Sequence, residues 1–368
     1  MTPAHALEDR AMGALIGAFI GDALALGPHW YYDLDQLHAD YGQWINDYTT
    51  PKPGRYHAGM QAGQLSQSGI LLRLTVQSLV DSGSYDQADF CRRMDNELFP
   101  QLDGTPMNGP GGYTSQSIRE AWRRRVKSGL PWGQIAGNAD TTEAAERILA
   151  IAIRYALQPA QLASAVSRNT ALTQTDGTVM AMTVAFGAVL GMLVEGQALD
   201  ANISGKLMAR VKSGELPFHT VTSGNLQAPQ AGQPEAPTTG RFPSPDALLS
   251  QSSIALAATD PDIHIDPAWK VSLVYGLPCA AYHQFPAAYY LAARFHDDFE
   301  SAVLHAINGG GQNQSRAILA GALTGAQTGL SGIPQRFLDG LENSGELLDL
   351  AGRLAKQMVE QPVVEEAG

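Results

Sequence analysis

The chain is predicted to fold as an all-α single domain, and three observations predict it. Apolar residues recur at helical spacing, as at Ala144, Ile148, Ile151 and Tyr155; capping residues precede such runs; and no sustained alternation of period two marks out strands. At 368 residues one large helical domain is within range, and a 44% hydrophobic content supplies its core.

The elements follow in order. An apolar helix is expected from near Leu7 to Gly21-Asp22-Ala23-Leu24-Ala25. Asp140 with Glu143 reads as a capping-box-like start for the helix carrying Ile148 and Ile151. From Thr222 to Pro243 the composition turns to Gly, Pro, Gln, Ser and Thr without apolar period, so 222–243 is expected to be an irregular loop within the domain. Ser244-Pro245 reads as an N-cap with proline at the first helical position, and Gln284-Phe285-Pro286 gives a similar start. Asp298 is placed to cap Phe299 to Asn308, which Gly309 ends. The small residues from Ala317 to Ala326 suit a closely packed helix.

Charged residues are only 16% of the chain, and 24 basic against 36 acidic residues give a net charge of −12. Such a surface repels phosphate backbones and anionic membrane, so no nucleic-acid or membrane partner is expected. The run Arg119-Glu120-Ala121-Trp122-Arg123-Arg124-Arg125 is the one local basic candidate, and on a helix it reads as a solvated face pairing with acids. Cys91 and Cys279 are too few for a disulfide framework or a zinc site. Neither a signal peptide nor a membrane span is visible, and the cytoplasm is the expected compartment.

Two glycine-rich loops open into helices. Asn308 to Ala317 contains Gly310, Gly311, Gln312, Asn313, Gln314 and Ser315; Asn108 to Ser117 contains Gly111, Gly112, Tyr113 and Thr114. Unpaired N–H groups at a helix N-terminus, reached by backbone without side chains, make a phosphate cradle, and the alternative is a capped turn. Asp22 is a candidate general base or ligand-orienting acid, or else caps nearby backbone. His29, beside Trp30, Tyr31 and Tyr32, either contacts a ligand ring or is a satisfied core histidine. Asp140, Glu143 and Glu146 are candidate catalytic carboxylates, the last two sharing a helix face; capping and a pair with Arg147 also account for them.

Taken together, these segments resemble the ADP-ribosylglycohydrolase family from about Arg10 to Leu341. Gly21-Asp22-Ala23-Leu24-Ala25 is similar to that family's Gly-Asp-Ala-Leu-Gly, and Gly310 to Ser315 to its Gly-Gly-Asp-Thr-Asp-Thr, with the Ile333-Pro334 step following in the same order. Gly63 to Gly69 falls where the family has Thr-Asp-Asp-Thr, and His29-Trp30-Tyr31-Tyr32 is similar to the J-crystallin branch. The resemblance implies an orthogonal multi-helix bundle, a ligand of ADP-ribose or nucleotide type, and hydrolysis of an N-glycosidic bond. It also implies a pair of magnesium ions on acidic residues, and here those positions read Gln67, Ser68, Gln312 and Gln314. Amide and hydroxyl oxygens lack the charge that offsets magnesium dehydration, so no metal is expected, and these four residues are instead expected to line a polar ligand site. The histidine of the family's Thr-His step is Gln174 here. A catalytically inactive binding protein or a crystallin-like structural protein is the alternative expectation.

Overall fold

The computed structural model describes residues 2–218, 220–223, 231–232, 239–242, 244–246 and 248–360. Among them are sixteen α-helices. The first eight are α1 (Pro3–Ala25), α2 (Leu34–Tyr41), α3 (Gln67–Ser82), α4 (Gln87–Arg93), α5 (Gln116–Trp122), α6 (Glu143–Arg154), α7 (Pro159–Thr170) and α8 (Gly177–Val194). The rest are α9 (Ile203–Lys212), α10 (Gln251–Thr259), α11 (Val271–Tyr275), α12 (Ala281–Arg294), α13 (Phe299–Asn308), α14 (Asn313–Thr328), α15 (Gln335–Gly340) and α16 (Ser344–Glu360). The all-α expectation holds. Its one exception is an antiparallel hairpin of β1 (Thr220–Ser223) and β2 (Thr239–Phe242), with Thr220 opposite Phe242. It corrects part of the expected loop over 222–243; apart from 231–232, the remainder of that segment lies outside the described residues.

Caps fix several starts. Thr2 caps α1, Ser66 caps α3, Asp176 caps α8 and Asp298 caps α13, each side-chain oxygen accepting backbone N–H bonds. Three expected starts move. Ser250, not Ser244, caps α10, which begins at Gln251. Helix α12 begins at Ala281 and carries Pro286 within it; proline at its sixth residue removes only one helical N–H bond near the free end. Asp140 does not cap α6: Thr142 is the N-cap residue, and Asp140 is exposed.

The centre of the fold is a backbone-to-backbone seam between α1 and α14. A Cβ added at Gly13 would lie 2.3 Å from Gly325 O, at Gly17 2.3 Å from Gly321 O, and at Gly21 2.2 Å from Ala317 O. The partner numbers fall as the α1 numbers rise, so the helices are antiparallel, with one small residue per turn on each. This contact brings the C-terminal end of α1, with Asp22, to the N-terminal end of α14. One apolar cluster spanning α1 to α16 surrounds the seam, and a smaller one packs α3, α4 and α5 around Trp122 and Phe90. Helix α8 is long and apolar enough to cross a membrane by composition, but 83% of that stretch is buried inside the protein, where it serves as a core helix.

Candidate active site

The N-terminal ends of α3, α6 and α14 converge on a cleft of about 530 Å³, closed on its other sides by the segments around Trp30, Tyr113 and Cys279. At its floor stands Glu146, 2% exposed. Its carboxylate accepts three hydroxyl hydrogen bonds, from Ser68 at 2.5 Å, Ser315 at 2.5 Å and Thr142 at 2.8 Å. Each hydroxyl belongs to a different segment, so one carboxylate ties α3, α14 and the start of α6 together. Glu143, one turn earlier on α6, is half-buried on the cleft wall and accepts a bond from the Thr141 hydroxyl. Burial, and then the charge of Glu146, push its carboxyl up to about 7.

Gln174 sets the approach to α6. Its side-chain oxygen accepts from Ala144 N at 2.9 Å, and its nitrogen donates to Ala139 O at 2.9 Å and Thr141 O at 2.8 Å. The residue that displaces a family histidine thus becomes a backbone staple. Arg147 does not pair with the α6 acids; its guanidinium bonds Asn169 and Thr173 instead. Asp140 is corrected as a catalytic candidate: it is exposed and off the cleft wall, its carboxylate accepts from Tyr282 Oη at 3.3 Å, and its backbone oxygen accepts from Ala281 N at 2.8 Å.

Asp22 is also corrected. It is fully buried behind the cleft, where Ser66 donates to it from both N (2.8 Å) and Oγ (2.5 Å). Ser66 Oγ in turn accepts from Ser68 N at 3.0 Å, so Asp22 holds the cap of α3 and through it Ser68. Burial first, with Glu146 adding, raises its carboxyl to about 7. A Cβ at Gly69 would meet Asp22 Oδ2 at 2.3 Å, which explains a glycine inside the first turn of α3.

The glycine runs do not present a free phosphate cradle. Gly311 N donates to Tyr31 O at 2.7 Å and Gln312 N to Leu277 O at 2.8 Å, and Gly310 and Gly311 take left-handed φ of 64° and 59° because three backbones meet there. Gly111 and Gly112 likewise pack against Gln67 and His57, off the cleft wall. Tyr113 does reach the wall, whereas Thr114 is buried and bonds Asn108 O. Asn313 is buried too, donating to Ala25 O.

Of the four positions where acids were expected, Gln67 spends its amide on Ser115 N (3.0 Å) and Thr114 Oγ1 (3.2 Å), and Gln312 its amide on Trp30 Nε1 and Ser315 Oγ. Ser68 serves Glu146. Of the four, Gln314 alone has an amide nitrogen, buried on the cleft wall, without a partner among the described residues. Among the described residues no group of three or more His, Cys, Asp or Glu side chains is placed to hold a metal. Amides and hydroxyls at these four positions, with Glu146 already accepting three hydroxyl hydrogen bonds and Glu143 accepting one from Thr141, do not fit a magnesium pair.

His29 is a buried histidine paired with another: His29 Nδ1 lies 2.6 Å from His57 Nε2, His57 Nδ1 meets Gly111 O, and His29 Nε2 lies 3.3 Å from Gln312 Oε1. Burial keeps both neutral, lowering His57 to about 4 and His29 well below its ordinary value. Trp30 and His57 hold left-handed φ of 61° and 63°, uncommon for bulky residues and fixed here by the packed rings around them, with Trp30 and Tyr113 centroids 5.3 Å apart. Sequence reasoning passed over His57, Ser66 and Thr142, each in a turn or cap with no signal of its own beyond that, and read Arg119 as part of a solvated basic face, whereas it lines the cleft.

The cleft is thus built at the N-terminal ends of α3, α6 and α14 in a multi-helix bundle, and comparison gives the class its name. A family model for ADP-ribosylglycohydrolase matches residues 3–363, and the chain belongs to that family. An uncharacterized protein of Archaeoglobus fulgidus is 22% identical over 350 residues, covering 95% of this chain and 96% of its own. A solved structure titled an ADP-ribosylglycohydrolase-related protein complex superposes with a TM-score of 0.61 at 19% identity, covering 96% of this chain and 99% of that one, and shares the fold.

Proposed function

We propose that this cleft hydrolyses an N-glycosidic bond of an ADP-ribose-type ligand without a metal pair, using Glu143 and Glu146. The observation that carries the reading is the placement of both carboxylates on the cleft wall one turn apart on α6. Such spacing puts their Cβ atoms about 5–6 Å apart. Glu143, raised to about 7, is partly protonated at neutral pH, and its acid form delivers the proton to the leaving nitrogen as the C–N bond breaks. Glu146, oriented by three hydroxyl donors, faces the positive charge developing at the anomeric carbon. Glu143, now a carboxylate, takes the proton of the attacking water and is restored. Asp22 and Gln174 are positioning residues in this scheme, acting through Ser68 and the start of α6.

The test is release of ADP-ribose from its N-glycosides by chelator-treated protein. Glu143→Gln is expected to lower kcat by about 10²- to 10⁴-fold. Wild-type kcat is expected to fall as pH rises through about 7, where the acid loses its proton. Binding of ADP-ribose with no turnover by wild type would instead sustain the second reading, an inactive binding protein. That reading is favoured by the way Gln67, Gln312 and Ser68 are spent on protein partners.

A further inference from the structure

The basic run from Arg119 to Arg125, which starts on α5 and continues into the π-helical turn Arg123–Lys127, does not behave as one solvated face. Arg125 pairs with Asp95 at 2.8 Å, Arg123 donates to Gly104 O at 2.9 Å, and Arg124 donates to Ala136 O. Arg119 turns the other way, onto the cleft wall, and is the one lysine or arginine among the described lining residues. No carboxylate of the described residues lies within 4.0 Å of it. Its Nη1 is tied to Thr114 O, and its guanidinium lies 5.9 Å from the Tyr113 ring centroid. A guanidinium held by one nitrogen and an aromatic neighbour has its planar fork oriented in advance, with donors left for a ligand. In a protein of net charge −12, an arginine with no acidic partner in an otherwise acidic cleft is conspicuous.

We infer that Arg119 anchors an oxyanion of the cleft ligand, a phosphate or a carboxylate, and so selects ligands that carry one beside the sugar. The inference rests on the reading of the cleft as a site for an ADP-ribose-type ligand, in which the anion is the diphosphate. Bidentate contact with a phosphate is the interaction an arginine fork makes best, and lysine reproduces the charge but not the geometry. Ser115 Oγ, buried and unpartnered on the same wall, supplies a hydroxyl next to it.

The experiment titrates ADP-ribose, ribose 5-phosphate and adenosine into wild type, Arg119→Ala and Arg119→Gln, the last keeping a side-chain donor for Thr114 O. Both variants are expected to weaken ADP-ribose and ribose 5-phosphate about 10- to 100-fold and to leave adenosine unchanged. Equal loss for adenosine, or no loss for the phosphorylated ligands, overturns the inference. Where wild type binds none of the three, the proposed function falls, and inorganic pyrophosphate decides the inference separately. A pyrophosphate-dependent rise in thermal midpoint that both variants lose sustains it, and no rise in wild type overturns it.

Discussion

Single side chains in this cleft do work that their positions in the sequence do not announce. His29 and His57 show it through proton counting. Three contacts run from Gln312 Oε1 through the two rings to Gly111 O, and two neutral imidazoles carry only two protons. Trp30 Nε1 fixes the Gln312 oxygen toward His29, so the missing proton falls on that longest contact of 3.3 Å. The pair is held neutral, with folded values below the ordinary one, so its contribution to stability is present above about pH 6.5 and is lost as pH falls toward about 4. Asp22 and Glu143, raised to about 7, act in the opposite direction, favouring the fold as they protonate. The histidine effect is therefore read as a difference: between pH 7.5 and 5, wild type is expected to lose roughly 2 kcal/mol more than His57→Gln in urea unfolding. Equal pH slopes would refute the assignment. Asp22 was legible as a retained acid that either acts on a ligand or bonds backbone, but the choice between the two was not, because only the fold reveals that Ser66 stands between it and the cleft.

At the level of elements, the sequence showed best what periodicity and composition encode. The helices over Phe299–Asn308 and Glu143–Arg154 and the small-residue helix α14 were all readable. Starts decided by tertiary contact were not: α12 runs through Pro286, and Ser244 is passed over for Ser250. The glycines of α1 carried no obvious meaning until α14 was laid against them. An isolated helical glycine replaced by alanine gains up to about 1 kcal/mol, but at Gly17 the new methyl would meet Gly321 O at 2.3 Å, and the seam wins. Gly17→Ala is expected to destabilise by about 2 kcal/mol or more. Gly205→Ala on α9, where nothing lies within 4 Å, is expected to stabilise by about 0.5–1 kcal/mol. Chemical denaturation of the two variants checks both signs.

For the whole molecule, periodicity and capping carried the all-α class, the family resemblance carried the type of bundle, and the departures from it carried the expectation about metals. The four neutral side chains all line the cleft, and what the sequence did not show was their partners: Ser115 for Gln67, Trp30 for Gln312, Glu146 for Ser68, and none among the described residues for the Gln314 amide nitrogen. Magnesium is expected to leave the thermal midpoint unchanged, since binding to the native state would raise it by mass action; a large magnesium-specific rise would overturn the metal-free proposal. Restoring acids together at Gln67, Ser68, Gln312 and Gln314 is expected to destabilise the metal-free protein, because four new carboxylates would face Glu146 and one another. Unchanged stability would count against their convergence.

The α1–α14 seam also dictates a schedule. Gly17 and its partner Gly321 are 304 residues apart in the chain. At about 5–20 residues per second, a ribosome leaves the first helix without its partner for roughly 15–60 s. Throughout that interval its apolar stretch from Ala11 to Leu26, buried in the finished protein, has no α14 to cover it. The close fit that unites the two ends of the fold thus becomes available only late in synthesis, when α14 has been made and, of the α-helices, α15 and α16 alone remain to follow.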